Sequence, residues 1–288
     1  MDDQHLPGFY HDAEEASRSG QRATLLLSRV RLLGAVVAAV GGAFKWKVGG
    51  GVDVWAWVAL IGFLIALFGE FLLWVMHPEL KWNAGRAVAE RVKSLGWRYA
   101  VAGDPFPLTS PDARGDLEKA VIDAAAEHRG TLLLTGDNPA GEVVMTGLRD
   151  KPFPERRTAY CDNRVRRQLD WYHDKAASNE IRANVARVLL FAGEFIAILF
   201  AILRITGAWD VDLSGVMAAA VAGGAAWIGL RQYENLKVAY SAAAGELAGM
   251  HKRLLRTDES DWPTTVAEAE AVISTEHAAW LASRPSTT

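Results

Sequence analysis

Apolar positions crowd into four stretches of the chain, and charge is dense between them. Val54–Met76, VWAWVALIGFLIALFGEFLLWVM, carries a single charge, Glu70. About 20 apolar residues in a helix cross a hydrocarbon core of ~30 Å, so this stretch predicts a spanning helix over 54–76. Val30–Phe44, VRLLGAVVAAVGGAF, precedes it. Arg31 and Lys45 at its ends can extend their charges to an interface, which predicts a span over 30–50. Val188–Leu203, VLLFAGEFIAILFAIL, has Glu194 as its interior charge and predicts a span over 186–206. Leu213–Leu230, LSGVMAAAVAGGAAWIGL, is uncharged but rich in Ala and Gly. A buried soluble helix is the alternative for this fourth stretch. Small residues are, however, what close helix contacts in lipid require, and its partner stretches are clear.

Between these stretches the pattern is amphipathic. Residues 158–204 contain no Pro and predict one continuous helix, roughly 70 Å long at 1.5 Å per residue. Leu169, Tyr172, Ala176, Asn179 and Ala183 fall on one stripe of it at three- and four-residue spacing. The two halves of the chain share an order: polar helix, span, short loop, span, polar helix. AVAERVKSL after the second span corresponds to AAGELAGMHKRL after the fourth. The middle differs. Leu117–His128 predicts a helix. TLLLT and EVVMT, separated by GDNPAG, predict a β-hairpin. The Gly-Asp-Asn-Pro loop reads as a turn, since it lacks the Lys and following helix of a phosphate loop. Pro263–Ala282 predicts a docked helix anchored by Trp280.

The fold class expected is therefore an all-α membrane protein. Four transmembrane helices form two repeated hairpins with long cytoplasmic helical extensions and a small α/β insert. The expected divisions are 1–100 for the first repeat, 101–157 for the insert, 158–256 for the second repeat and 257–288 for a C-terminal helix and tail.

Charge sets the orientation. Arg18, Arg22 and Arg29 precede the first span, and Lys81, Arg86 and Arg91 follow the second. Arg164, Arg166, Arg167 and Lys175 precede the third, and Arg231, Lys237 and Lys252 follow the fourth. The positive-inside rule puts all of these in the cytoplasm, with both termini. Lys45 and Lys47 oppose it and are outnumbered. Trp46, Trp55, Trp57 and Trp209 gather at the outer boundary, and Trp74, Trp82 and Trp227 near the inner one, as an aromatic belt would. The first span starts late, after a polar segment, and so reads as a resident helix instead of a cleaved signal.

Composition removes several functions. With 31 basic and 34 acidic groups, no excess positive field exists to attract nucleic acid. One cysteine, Cys161, excludes an intrachain disulfide framework and a cysteine-rich zinc site. The 7 histidines are scattered with none paired at i, i+4, and no GxSxG, HExxH or glycine-rich nucleotide motif appears. The expectation is a protein that is not an enzyme, with no metal and no cofactor.

Ionisable groups inside spans are costly, roughly 2.5–3.5 kcal/mol on insertion scales, and point to function. Glu194 lies near the middle of its span and Glu70 in the inner half of its own. Both are ion-pathway candidates, and in a symmetric oligomer each becomes a ring of the kind that selects cations. The alternatives are that Glu70 snorkels or pairs with Arg31, and that Glu194 is protonated and hydrogen-bonded between helices.

The run TGLRDKPFPERRTAYCDNRVRRQLDWYHDKAASNEIRAN leads straight into the third span. Its Pro154–Arg157, Tyr160, Arg164, Gln168, Trp171, Tyr172, Lys175, Ala176 and Asn179 resemble the SLATT/DUF4231 membrane proteins of bacteria. EEASRSGQ and SLGWRYAVAGDPFP in the first half resemble a second SLATT subtype, so the resemblance covers nearly the whole chain. It implies a two-span effector unit, used twice, of a prokaryotic conflict system that breaches the membrane. It offers no catalytic residue. Arg164, Gln168, Trp171, Tyr172 and Asn179 look like cytoplasmic packing and membrane-entry residues. No synthetase or sensor domain accompanies them, so an activating ligand or protein is expected from elsewhere.

The function expected is an oligomeric, cation-permeable channel or pore, gated through its cytoplasmic helices, in the bacterial inner membrane. The expected partners are the lipid bilayer, further copies of the chain in a dimer or tetramer, and the activator. A non-conducting scaffold anchored by its spans is the main rival. A transporter is a weaker one, because the spans carry few polar groups.

Overall fold

The computed structural model describes residues 1–45, 47–48, 52–128, 130–136, 139–208 and 211–282. Among these, ten α-helices carry the fold: α1 Gly8–Ala43, α2 Val54–Met76, α3 Pro78–Ala100, α4 Ala113–Ala126, α5 Pro139–Arg149, α6 Phe153–Tyr160, α7 Arg167–Ile205, α8 Leu213–Arg231, α9 Tyr233–Leu254 and α10 Trp262–Ala282. A two-residue ladder, Lys47–Val48 against Val52–Asp53, joins α1 to α2. The belt positions Trp46 and Trp209 lie outside the described residues, as does the side chain of Trp280.

The chain divides into two compact units. The apolar unit comprises Gln21–Pro78 and Asn179–Glu234. The polar unit comprises Met1–Gly20, Glu79–Ser178 and the chain from Asn235. Both α1 and α7 begin in the polar unit and end in the apolar one.

The apolar unit holds the four stretches that are long and apolar enough to cross a membrane. Aspartates start two of its helices. Asp53 accepts from the Trp55 amide at 3.1 Å to begin α2, and Asp212 accepts from the Gly215 amide at 3.1 Å to begin α8. Both helices end on a left-handed residue, His77 (φ 41°) after α2 and Gln232 (φ 51°) after α8. Each of these donates its amide back four residues, His77 to Leu73 and Gln232 to Ile228. A new helix follows in both cases, so the two halves repeat in conformation as well as in hydropathy.

Glycine seams close each hairpin. A Cβ on Gly41 would lie 2.3 Å from the Ala59 nitrogen, and one on Gly62 would lie 2.5 Å from the Ala38 nitrogen. The backbones of α1 and α2 therefore touch, the close approach that small residues permit in lipid. On the second hairpin, a Cβ on Gly193 would meet Val221 at 2.8 Å.

In the polar unit, Val88, Val92, Phe106, Tyr160, Tyr172, Leu247, Trp262 and Val266 form one buried core. The predicted continuous helix is present from α6 through α7, with one modification. Cys161–Arg166 form a π-helical turn between them. Tyr172, Asn179 and Ala183 of the predicted stripe are buried, and Leu169 and Ala176 pack against the core.

The expected β-hairpin is absent, which corrects the α/β insert to an all-helical one. EVVMT lies inside α5, where Met145 and Leu148 meet the core at helical spacing. Pro139 opens this helix, a position that needs no amide. TLLLT is irregular chain. Its last amide finds no strand partner because the Asp12 carboxylate takes it. Thr135 donates to Asp12 at 2.7 Å and the next amide, Gly136, at 3.2 Å. Asp137 and Asn138 of the predicted turn lie outside the described residues.

Candidate functional site

The ionisable residues of the apolar unit sort into pairs and exceptions. The α1–α2 seam brings the backbone of Arg31 against Gly69, where a Cβ would sit 3.2 Å from the Arg31 nitrogen. From there Arg31 Nη1 donates to Glu70 Oε2 at 2.5 Å. Of the two ion-pathway candidates, Glu70 thus carries a neutralising partner on the neighbouring helix. Arg204 pairs with Asp212 at 2.6 Å and Arg187 with Glu234 at 3.4 Å.

Glu194 differs. It is exposed, on a face of α7 it shares with exposed Phe191, Phe195 and Ile198. It makes no hydrogen bond or ion pair among the described residues, with Arg31 and Glu70 included. On one side its neighbour Gly193 packs on α8. An unpaired acid therefore stands on the outer, apolar surface of a single chain.

The second cluster sits in the polar unit. Glu270 of α10 is fully buried and accepts two bonds from Arg164, Nε at 3.0 Å and Nη2 at 2.8 Å. The Tyr160 hydroxyl donates to the same carboxylate at 2.9 Å. Burial by itself would raise the Glu270 carboxyl, but the Arg164 charge and the bonds from Arg164, Tyr160 and Ser94 outweigh it and hold the group below its ordinary value. Burial, followed by the Glu270 charge, pushes the Tyr160 hydroxyl well up. The π-helical turn supplies Arg164 to this pair, while Tyr160 comes from the end of α6.

Trp171 and Tyr172 lie just beyond. Both pack on Tyr240 of α9, with ring centroids 5.2 and 6.0 Å away. Gln168 borders a cavity of about 550 Å³ that Arg164, Trp171 and Tyr172 also line. Asn179 is buried in the apolar unit. The structure thus brings Arg164, Gln168, Trp171 and Tyr172 to one region of the polar unit, where Arg164 is ion-paired with Glu270 and the rings of Trp171 and Tyr172 pack on Tyr240.

Residues 7–157 match the model of the SMODS and SLOG-associating 2TM effector domain 3, and residues 160–280 match that of domain 1. The chain belongs to this SLATT effector family. It is a tandem of two such domains. No curated protein and no solved structure matches it. The SLATT boundaries give the polar contacts a meaning. Arg164, Tyr160 and Glu270 all belong to the second SLATT domain. Arg156 of the first SLATT domain is buried and pairs with Glu259 of the second at 2.7 Å. Arg156 Nη1 and Trp262 Nε1 both donate to the Val101 carbonyl, at 3.0 and 2.8 Å.

The sequence motif contained Arg156, Tyr160 and Arg164 but not their partners. Glu270 was missed. Its signal is its register: it is an acid beside the core positions Val266, Ala269 and Ile273 on α10. Trp227 was placed in a belt, but its two arginines were not. Arg29 stacks over its ring at 5.0 Å and Arg231 at 5.9 Å.

Proposed function

We propose that this SLATT tandem is the subunit of an oligomeric, cation-permeable membrane pore, gated through its polar unit. The observation that carries the reading is Glu194. An unpaired carboxylate on the outer face of an apolar helix faces lipid if the chain is alone, at a cost of roughly 2.5–3.5 kcal/mol even on the mildest scales. A second copy packed on that face, or water held between copies, removes the cost. Around a symmetry axis the acid repeats as a ring, which favours cations. Glu70 joins the path only if its bond to Arg31 opens.

Dimers and tetramers give four or eight pseudo-equivalent hairpins. Gating reaches the spans through α1 and α7, which are continuous helices shared by both units. The positive-inside pattern supports cytoplasmic termini in a bacterial inner membrane. The effector family supports a role in defence, with the trigger supplied by another molecule.

A scaffold reading rests on a different observation. Apart from Glu194, the exposed residues of α7 between Val188 and Leu203 are all apolar, as expected of a mere anchor. Potassium efflux from vesicles containing the purified protein separates the two. Efflux that depends on protein, and falls in Glu194→Gln, supports the pore. Absence of efflux across ligands and cell lysate supports the scaffold.

A further inference from the structure

Trp227 near the end of α8 is contacted by two guanidiniums, Arg29 of α1 at 5.0 Å and Arg231 at 5.9 Å from the ring centroid. All three belong to the apolar unit. Stacking on an indole leaves the edges of a guanidinium, where its N–H donors lie, available for hydrogen bonds. Arg231 uses one of them, Nε, on the Tyr233 hydroxyl at 3.3 Å. Neither arginine has a carboxylate partner among the described residues.

Arg31, Arg187 and Arg204 of the same unit are each paired with an acid, while Arg22 and Arg182, also without an acid partner among the described residues, are exposed and stack on no ring there. Glu234 is the acid nearest Arg231 in sequence, and it is engaged by Arg187. Two cations thus share one indole without a counter-charge among the described residues, where a hydrophobic stretch gives way to polar chain. Tryptophan at such a boundary sits at headgroup depth.

We propose that Arg29 and Arg231, organised by Trp227, bind the phosphate of an anionic phospholipid. The planar donor fork of arginine suits a phosphate oxygen pair, and the indole fixes both forks before lipid arrives. The occupant is a lipid and not a soluble anion, because the apolar faces of α1 and α8 beside the site would cover acyl chain. The proposal rests on the membrane-spanning reading but not on conduction. It stands or falls separately from the pore.

The test is native mass spectrometry of the full chain in detergent, titrated with phosphatidylglycerol, phosphatidylcholine and inorganic phosphate. Wild type is expected to retain phosphatidylglycerol in preference to phosphatidylcholine. Arg29→Gln and Arg231→Gln are each expected to weaken that preference roughly fivefold, the effect of one basic group near a charged surface. The double variant is expected to lose it. Arg22→Gln, an exposed arginine earlier on α1, is expected to leave it unchanged. Equal retention of the two lipids by wild type overturns the proposal, and so does an Arg22→Gln loss as large as that of Arg29→Gln. Displacement of phosphatidylglycerol by millimolar inorganic phosphate overturns the choice of a lipid. These wild-type readings hold even if the double variant does not fold.

Discussion

Arg164 and Glu270, 106 residues apart in the chain, close a two-bond ion pair from which water is excluded. The pair forms because a π-helical turn supplies the guanidinium and α10 supplies the carboxylate among apolar neighbours. Desolvation makes such a pair a weak net stabiliser. Breaking it leaves a bare buried charge at a cost of about 3–5 kcal/mol. Glu270→Gln should therefore lower the unfolding midpoint of the polar unit strongly. Replacing both partners, Arg164→Met with Glu270→Leu, should recover most of the loss. Thermal melts of the three proteins check this, and additive losses would contradict it.

The same pair sets a pH dependence. The Glu270 carboxyl is held below its ordinary value of 4.5 in the folded chain. Its stabilising contribution is then complete above about pH 4.5 and is lost as pH falls through the lower, folded-state value. Melting temperature should fall on acidification below pH 4.5. In Glu270→Gln that part of the fall should be missing. A parallel pH profile in the two proteins would show that other groups govern acid sensitivity.

Cys161 begins the π-helical turn and is buried. Burial first, and the Asp162 charge second, push its thiol up to about 11. The thiolate is the reactive form. The native protein at pH 7.5 should resist a maleimide for hours and react quickly once unfolded. Rapid native labelling would mean that the turn opens readily.

Gly41 and Gly42 are neighbours with opposite surroundings. A Cβ on Gly41 would strike the Ala59 backbone at 2.3 Å, while nothing lies within 4 Å of one on Gly42. Gly41→Ala should separate α1 from α2 and reduce the thermal stability of the detergent-solubilised protein. Gly42→Ala should leave it equal or up to ~1 kcal/mol higher, as helix propensity favours Ala. Similar effects at both positions would argue against the tight seam.

Orientation is checked by placing cysteines at Thr206, in the loop between α7 and α8, and at Lys252 in α9. Both positions are exposed, and Cys161 is buried. The positive-inside pattern predicts that a membrane-impermeant reagent reaches Thr206→Cys in intact spheroplasts. Lys252→Cys should label only after lysis. The reverse pattern would invert the topology.

The four spans were legible because twenty apolar residues in a row have few other uses. The helical stripe through Tyr172 and Ala183 was legible because its spacing survives a π-helical turn placed upstream of it. The hairpin was misread because TLLLT and EVVMT share the composition of strands. What decided between strand and helix was remote: the Asp12 carboxylate claims the Thr135 and Gly136 amides, and the core claims Met145 and Leu148. The partners of the arginine motif were equally hidden. Arg164 and Glu270 meet only after the second SLATT domain has folded back on itself, and no local pattern encodes that meeting. Glu194 was visible as a charge in a span. Its lack of a partner, and the exposed face it occupies, came from the structure.

Single-channel recording in planar bilayers, with wild type beside Glu194→Gln, bears most directly on the pore. Discrete wild-type currents that favour potassium over chloride are expected, with the preference weakened in Glu194→Gln. Silent, well-folded oligomers under every added ligand and lysate would contradict the pore and leave the spans as anchors. Wild-type currents whose selectivity Glu194→Gln leaves unchanged would contradict the assignment of Glu194 to the ion path.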